Sequence, residues 1–285
     1  MTILLNKTRL TLLVSALATF AVACNLGSSS SGDGDGDGDG DGDGDGDGDG
    51  DGDGDGDVDA APDLEPFSFF VTSYQTIRKQ SGTENETDPL LIGFGGNLGG
   101  LAGADQICQT AAADVGFGAR TWRAFISVTD DGSGNSVDAI DRIGEGPWVD
   151  RAGRMIASGK AGLTQTRPDG DPQAVADLMD ELGGLTSTLG DAHDTVTGSD
   201  RSGRLDSNNP ESTCNDWTST APIGGGIVMA GHSFPRAGPS GNEWLSDHPV
   251  RGCSVGINFV QNGPGVGTCI GCSGGYGGIY CFAID

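Results

Sequence analysis

Residues 95–108 read Gly-Gly-Asn-Leu-Gly-Gly-Leu-Ala-Gly-Ala-Asp-Gln-Ile-Cys and open the most regular stretch of this 285-residue chain. From Gly99 to Val115, apolar side chains recur at intervals of three and four residues, which is the period of one face of an α-helix. Gly116 follows, where a glycine commonly ends a helix. The pattern predicts a helix over residues 99–115 whose apolar face includes Cys108. The apolar positions are Leu101, Ala104, Ile107, Cys108, Ala111, Ala112 and Val115.

Segments on both sides of this helix predict strands. Residues 67–74 and 121–128 are rich in aromatic and β-branched side chains, which favour buried strands. Residues 146–150 and 154–157 flank an Arg-Ala-Gly turn and predict a hairpin.

A second helix and a long irregular region complete the pattern. Asp171 followed by Pro172 predicts a helix start, and Gly183 predicts its end. Residues 191–285 are rich in Gly, Ser and Asn and predict loops with short strands. We therefore expect an α+β fold in one large domain that covers residues 67–285.

The N-terminal segment predicts export and a lipid anchor. Lys7 and Arg9 precede an apolar stretch that is short for a membrane span and is typical of a secretory signal. The small residues before Cys24 resemble a bacterial lipobox, so we expect residues 1–23 to be removed and Cys24 to be acylated. The alternative is ordinary cleavage near Ala23 and free secretion. An acylated Cys24 would anchor the protein to the membrane, and we expect it at the bacterial cell envelope, in the outer membrane.

A tether follows the anchor. Residues 33–57 alternate aspartate with glycine, and such a segment cannot bury enough apolar surface to fold. We therefore predict a spacer over residues 24–66 rather than a structured calcium site. Residues 33–65 contain 16 acidic and no basic side chains, and the whole chain has a net charge of −26. Charge of this sign excludes nucleic acid as a partner.

Six cysteines remain after Cys24, and an even number in an exported domain predicts a disulfide framework. Composition alone leaves 15 connectivities open. A bridge across the loop from Cys108 to Cys281 would contribute roughly 4–5 kcal/mol in the chain-entropy model. The six are Cys108, Cys214, Cys253, Cys269, Cys272 and Cys281.

Four segments resemble the endostatin family. Residues 95–108 and 121–127 are similar to the opening of the endostatin domain. Residues 211–218 (Glu-Ser-Thr-Cys-Asn-Asp-Trp-Thr) are similar to a central signature of that domain, and residues 279–283 (Ile-Tyr-Cys-Phe-Ala) are similar to its end. The combination is closer still to bacterial endostatin-like lipoproteins. The resemblance covers most of the domain and implies a C-type-lectin-like fold: a twisted sheet, two helices and long loops joined by nested disulfides.

The resemblance also implies a disulfide pairing, and it implies no metal or cofactor. The implied pairs are Cys108–Cys281 and Cys214–Cys253, with Cys269–Cys272 as the remainder. An alternative nesting pairs Cys214 with Cys272 and Cys253 with Cys269. Endostatin's N-terminal histidine-rich zinc site has no counterpart near Phe67. Its arginine-based heparin surface and the calcium-dependent sugar motif of C-type lectins are also missing from the sequence.

Candidate metal ligands occur between the predicted helix and the chain end. Asp191, His193 and Asp194 offer oxygen and imidazole ligands, but three polar residues in a loop are typical of a solvated turn. We therefore predict no metal site and no cofactor.

Candidate catalytic groups are equally sparse. His232 and His248 lie near Ser233 and Asp247 in the sequence, but no Gly-x-Ser-x-Gly context suggests a catalytic triad. Residues 269–272 have the Cys-x-x-Cys spacing of redox motifs, but their glycine-rich surroundings favour a structural disulfide. We predict core positions for the tryptophans, except that Trp244 stands in a polar stretch that could be exposed.

These features predict a surface-anchored, non-catalytic binding module that recognises an extracellular protein or glycan. The alternative is an envelope hydrolase or metal-dependent carbohydrate-binding protein with a site built from loops in residues 191–250. The sequence does not identify the ligand.

Overall fold

The last strand of the chain lies at the centre of a three-stranded antiparallel sheet. The structure is a computed structural model that describes residues 67–221, 227–236, 241–260 and 263–285. β1 (Phe69–Val71) pairs with one edge of β11 (Tyr280–Ala283), and β2 (Trp122–Ala124) pairs with the other. Both segments that were predicted to form the first strands therefore contribute to this sheet. The predicted signal segment and tether, including Cys24, lie outside the described residues.

Helix α1 (Tyr74–Ser81) follows β1 directly, whereas the sequence pattern predicts a strand that continues to Tyr74. Ser73 ends the strand because its side chain accepts a hydrogen bond from the Thr76 backbone N–H and caps the helix. Its own backbone N–H and hydroxyl donate to the buried carboxylate of Glu181 at 2.8 and 2.5 Å. A residue distant in sequence therefore sets this boundary.

Helix α2 (Gly100–Asp114) confirms the predicted helix and packs its apolar face against β2 and β11. Buried Asp105 fixes the helix to the sheet. Its carboxylate accepts the Ala124 backbone N–H at 3.0 Å and pairs with Arg142 at 2.7 Å. Helix and sheet thus share one apolar core, with the ion pairs of Asp105 to Arg123 and Arg142 at its edge.

The middle of the chain forms a hairpin and short helices. The predicted hairpin is present as β3 (Trp148–Val149) and β4 (Met155–Ala157). The predicted second helix is much shorter than expected, because α5 spans only Pro172–Ala176. Beyond it, tertiary contacts override helix propensity: Leu178 N–H donates to the Ser233 carbonyl, and Val71 N–H donates to the Met179 carbonyl. The other short helices here are α3 (Ala139–Arg142) and α4 (Lys160–Leu163).

The region after residue 190 contains a second sheet of four strands, which are β5 (Asp194–Val196), β6 (Val228–His232), β7 (His248–Val250) and β10 (Gly275–Gly278). Their order in the sheet is β10-β5-β6-β7. β6 lies antiparallel to both β5 and β7, and β10 lies parallel to β5. A separate parallel pair, β8 (Ser254–Ile257) and β9 (Cys269–Gly271), accompanies it.

Three disulfides join these parts: Cys108–Cys281, Cys214–Cys253 and Cys269–Cys272. This is the pairing that the family resemblance implies, and the alternative nesting does not occur. Cys214 begins the turn α6 (Cys214–Trp217), in which all four residues have positive φ. Its conformation is held by the Cys214–Cys253 bridge and by the Trp217 indole, which donates to the Ser127 carbonyl at 2.8 Å.

The fold is therefore a mixed α+β arrangement of several small sheets and short helices with three disulfides. Within the described residues, no helix has both the length and the apolar composition that a bilayer span requires.

Candidate metal centre

Three neighbouring strands of the second sheet bring together all three histidines of the chain. Asp194 at the start of β5 lies directly opposite His232 at the end of β6. His248 at the start of β7 lies opposite Ala230, two residues before His232. Because side chains two residues apart share one face of a strand, this register places Asp194, His232 and His248 on the same face. His193 immediately precedes β5.

The ligand atoms of these four residues surround one carboxylate oxygen. The Nε2 atoms of His193 and His248 lie 3.0 and 2.9 Å from Asp194 Oδ1, and His232 Nε2 lies 3.6 Å from it. One ligand atom from each of the four residues lies within 4.8 Å of all the others. Nitrogen and oxygen ligands at 2.0–2.1 Å from a tetrahedral Zn²⁺ are about 3.3 Å apart. The contacts to Asp194 therefore have the length of the edges of a coordination tetrahedron.

These close contacts lack hydrogen-bond geometry. Within the described parts of the chain, His193 Nε2, His232 Nε2 and both carboxylate oxygens of Asp194 are buried without a hydrogen-bond partner. A buried carboxylate is costly in a protein interior unless it is paired with a cationic group or coordinates a metal, and the imidazoles of His193, His232 and His248 are the groups that surround Asp194. A bound cation requires several lone pairs that point to one position and are not engaged in hydrogen bonds. The imidazole nitrogens and the Asp194 carboxylate meet this requirement.

The centre is closed on most sides. The His193 side chain is fully buried, and those of His232 and Asp194 are each 1% exposed, whereas that of His248 is 28% exposed. Gly274, at φ +127°, leaves space for the His193 ring, because a Cβ atom at position 274 would lie 2.5 Å from His193 Cε1. Solvent therefore reaches the cluster from the side of His248, on β7 at the edge of the sheet.

Residues outside the cluster hold its ligands in place. His193 Nδ1 lies 2.9 Å from Asp191 Oδ1 in hydrogen-bond geometry. Partly buried Arg167 donates to the backbone carbonyls of His232 and Ser233 and so fixes the end of β6. Asp247 accepts the backbone N–H groups of Gly241 and Glu243 with Oδ1, while its Oδ2 lies 3.6 Å from His232 Nε2.

The pKa values of Asp194, His232 and His248 are shifted in different directions by their surroundings. Burial alone would raise the pKa of Asp194, but the neighbouring His193 and His248 imidazoles outweigh it and hold the pKa well below its usual range. Burial likewise opposes charge on His248, yet Asp194 raises the pKa of His248 to about 9. Burial lowers the pKa of His232 to about 4. At neutral pH the metal-free cluster therefore contains an ionised Asp194 and a protonated His248, whose proton a metal ion would displace.

These findings correct the sequence-based interpretation of residues 191–194. The expectation of a solvated turn is wrong, because His193 and Asp194 are buried and only Asp191 is partly exposed. His232 and His248 join His193 and Asp194 rather than a serine-based triad. The Ser233 hydroxyl accepts from Thr186 and donates to the His193 carbonyl.

The remaining candidate residues have structural positions. Cys269 and Cys272 are buried in their disulfide. All four tryptophans are buried. They include Trp244, although its polar sequence neighbours allowed an exposed position. One sequence signal could have indicated this cluster. All three histidines of the chain lie within residues 191–250, and His193 and His248 are each next to an aspartate.

The sequence matches no protein-family model and no curated protein. The chemistry of this centre is therefore argued from its own geometry.

Proposed function

We propose that this protein is an exported module whose globular region binds one transition-metal ion, best fitted by Zn²⁺, at His193, Asp194, His232 and His248. The observation that carries the proposal is the convergence of three imidazole nitrogens on one buried carboxylate oxygen without hydrogen bonds among them.

The donor set determines the class of metal. Imidazole nitrogen suits Zn²⁺ and other first-row transition metals, whereas Ca²⁺ and Mg²⁺ prefer an all-oxygen environment. Four protein ligands fill a tetrahedral sphere, as in structural zinc sites, whereas catalytic sites keep one position for water or substrate. The geometry therefore supports a structural ion in a non-catalytic module.

The envelope setting belongs to the same proposal. Three disulfides suit an oxidising compartment outside the cytoplasm. The lipid anchor at Cys24, the tether over residues 24–66 and the endostatin-like, C-type-lectin-like character of residues 67–285 rest on the sequence. Together they describe a metal-stabilised module that is displayed at the cell surface and binds an extracellular protein or glycan.

A metal-dependent carbohydrate site is the second candidate, because all four ligands lie within residues 191–250 and the centre is accessible beside His248. A sugar hydroxyl would reach the ion only by adding to the coordination sphere or by displacing His248. A glycan array with and without zinc separates the two candidates. Glycan binding that disappears after chelation, while near-UV circular dichroism shows that the protein stays folded, favours the carbohydrate site; glycan binding that disappears together with the folded signal favours the structural ion.

Metal analysis of the purified, oxidised protein tests the proposal directly. We expect one equivalent of zinc after dialysis, and the cobalt-substituted protein should show the intense visible absorption of a tetrahedral site. His193→Ala and His232→Ala should each weaken zinc binding by more than about 100-fold, since even residues outside the coordination sphere contribute 10–100-fold. Asp131→Asn is the matched control, because Asp131 lies in an exposed turn. A wild-type protein that retains no zinc contradicts the proposal.

Fractionation of cells tests the anchor. Cys24→Ser should move the protein from the membrane fraction into the detergent-free supernatant, because its attachment depends on acyl chains. Equal membrane retention of the variant would contradict the lipoprotein assignment.

A further inference from the structure

We infer that Asp191 is a positioning residue of the metal centre, whose carboxylate holds His193 in the tautomer that leaves Nε2 free to bind the ion. The inference rests on the proposed function and assigns a role to a residue outside the four ligands.

The argument begins with the two nitrogens of one buried ring. A neutral imidazole carries a proton on one nitrogen and a lone pair on the other. His193 is fully buried, so water cannot decide between them. Nδ1 has an acceptor in hydrogen-bond geometry, Asp191 Oδ1 at 2.9 Å, whereas Nε2 faces Asp194 Oδ1 at 3.0 Å without one. The proton therefore belongs on Nδ1, and the lone pair of Nε2 points into the cluster.

The surroundings prevent the ring from exchanging its two nitrogens. The backbone of Asp191 is anchored because its N–H donates to the Phe259 carbonyl at 2.9 Å. Its carboxylate oxygen Oδ1 also lies 3.6 Å from Arg236 Nε. Gly274 packs so closely against His193 that it leaves no space for a side chain. Acceptor and ring are therefore both held in one orientation.

Among the described residues, neither of the other two imidazoles has a carboxylate on its Nδ1 side: His232 Nδ1 is buried without a hydrogen-bond partner. His248 Nδ1 lies 3.3 Å from the carbonyl of Pro249, a neutral acceptor, and its ring is partly exposed. A carboxylate is a stronger acceptor than a carbonyl and increases the basicity of the imidazole that it contacts. Asp191 therefore makes His193 the most strongly oriented ligand of the centre.

Two variants of the full chain separate the charge of Asp191 from its hydrogen bond. Asp191→Ala removes both, and Asp191→Asn retains an acceptor without the charge. Zinc affinity should fall by about 10–100-fold in Asp191→Ala and by less in Asp191→Asn. Asp131→Asn, in an exposed turn, should leave the affinity unchanged.

Nitrogen NMR of the three histidine rings in the metal-free protein provides a readout without metal. The wild-type spectrum should show His193 protonated on Nδ1, with its signals identified by their loss in His193→Gln. Asp191→Ala should shift protonation towards Nε2. A purely structural role would lower the melting temperature of the metal-free protein and leave the tautomer unchanged.

The outcomes distinguish this inference from the proposed function. If the wild type binds zinc and Asp191→Ala keeps its affinity within twofold and its tautomer, the role of Asp191 is refuted while the metal centre stands. If the wild type binds no zinc, the proposed function fails, and the inference fails with it.

Discussion

The two main sheets of the molecule both contribute side chains to one apolar core, but they differ in the other side chains that they bury. The three-stranded sheet β1-β11-β2 is buried beneath aromatic rings, with Phe69 and Phe282 in edge-to-face contact at 4.9 Å and Trp122 beside Phe70 at 4.9 Å. The sheet β10-β5-β6-β7 instead buries polar residues along β5 and at the end of β6. They include His193, Asp194, Thr195, Thr197 and His232.

The difference shows how a glycine-rich region can still form a stable sheet. All four residues of β10 are glycine or tyrosine, so this strand offers little apolar surface. Apolar burial contributes roughly 25 cal/mol per Å², and a region with few apolar side chains gains little from it. We infer that a coordinated ion and disulfides replace part of that contribution. The following predictions, from the largest effect to the smallest, test this contrast.

Removing the Cys108–Cys281 bridge should have the largest effect, because it connects helix α2 to the central strand across a separation of 173 residues. The chain-entropy model predicts a loss of about 4–5 kcal/mol in the free energy of unfolding for Cys108→Ala with Cys281→Ala. The matched control removes Cys269–Cys272, with a separation of 3 residues, and should cost about 2 kcal/mol. Denaturant titration measures both. Equal losses would refute the loop-length argument.

Metal removal should destabilise the second sheet and spare the first. At a free zinc concentration 1,000 times the Kd, binding stabilises the folded state by about 4 kcal/mol, and a chelator removes this contribution. Hydrogen exchange should then accelerate in β5, β6 and β7 and remain slow in β1, β2 and β11. His232→Ala should be insensitive to the chelator. Uniform acceleration across both sheets would remove the contrast between them.

Trp244→Phe tests a residue that connects the two regions. The Trp244 indole donates to the Leu163 carbonyl at 2.7 Å, and its own carbonyl accepts from the Tyr280 hydroxyl of β11 at 2.7 Å. Phenylalanine would leave the Leu163 carbonyl unsatisfied, so we expect a loss of about 1–3 kcal/mol in the free energy of unfolding. Zinc affinity should remain unchanged, and a large decrease in it would show that Trp244 supports the metal centre directly.

Asp180→Asn should have the smallest effect, which should be visible only in how the stability of the folded protein depends on pH. Burial raises the pKa of Asp180 to about 6, and nearby Glu181 adds to the shift. A carboxyl with a raised folded-state pKa contributes stability below pH 4, which is lost as the pH rises through 6. Asparagine can still accept the backbone N–H groups of Leu182 and Gly184.

The variant should therefore show a weaker decline in melting temperature between pH 4 and 6. The difference should be below about 1 kcal/mol, because solvent screens this partly exposed group. The pKa of Glu181 is also raised, so part of the decline should persist. A steeper decline in Asp180→Asn would contradict the assignment.

Much of the fold follows from local sequence patterns. The helix at Gly100–Asp114 and the hairpin around residues 148–157 depend on periodicity and turn residues within a few positions, and both are present. The boundary between β1 and α1 and the early end of α5 depend on Glu181, Ser233 and Val71, which lie elsewhere in the sequence. Local patterns carry no information about such partners.

The sequence alone therefore determined the acidic, cysteine-containing character of the chain, its α+β class and the helix that carries Cys108, and it predicts export. Only the tertiary structure decided that Asp194, His232 and His248 share one face of a sheet and that His193 joins them there. The physical reason is register: a shift of one residue between β5 and β6 would turn the side chains of one strand to the opposite face and disperse the ligands. Register depends on pairing between distant segments, and no single segment of this chain encodes it.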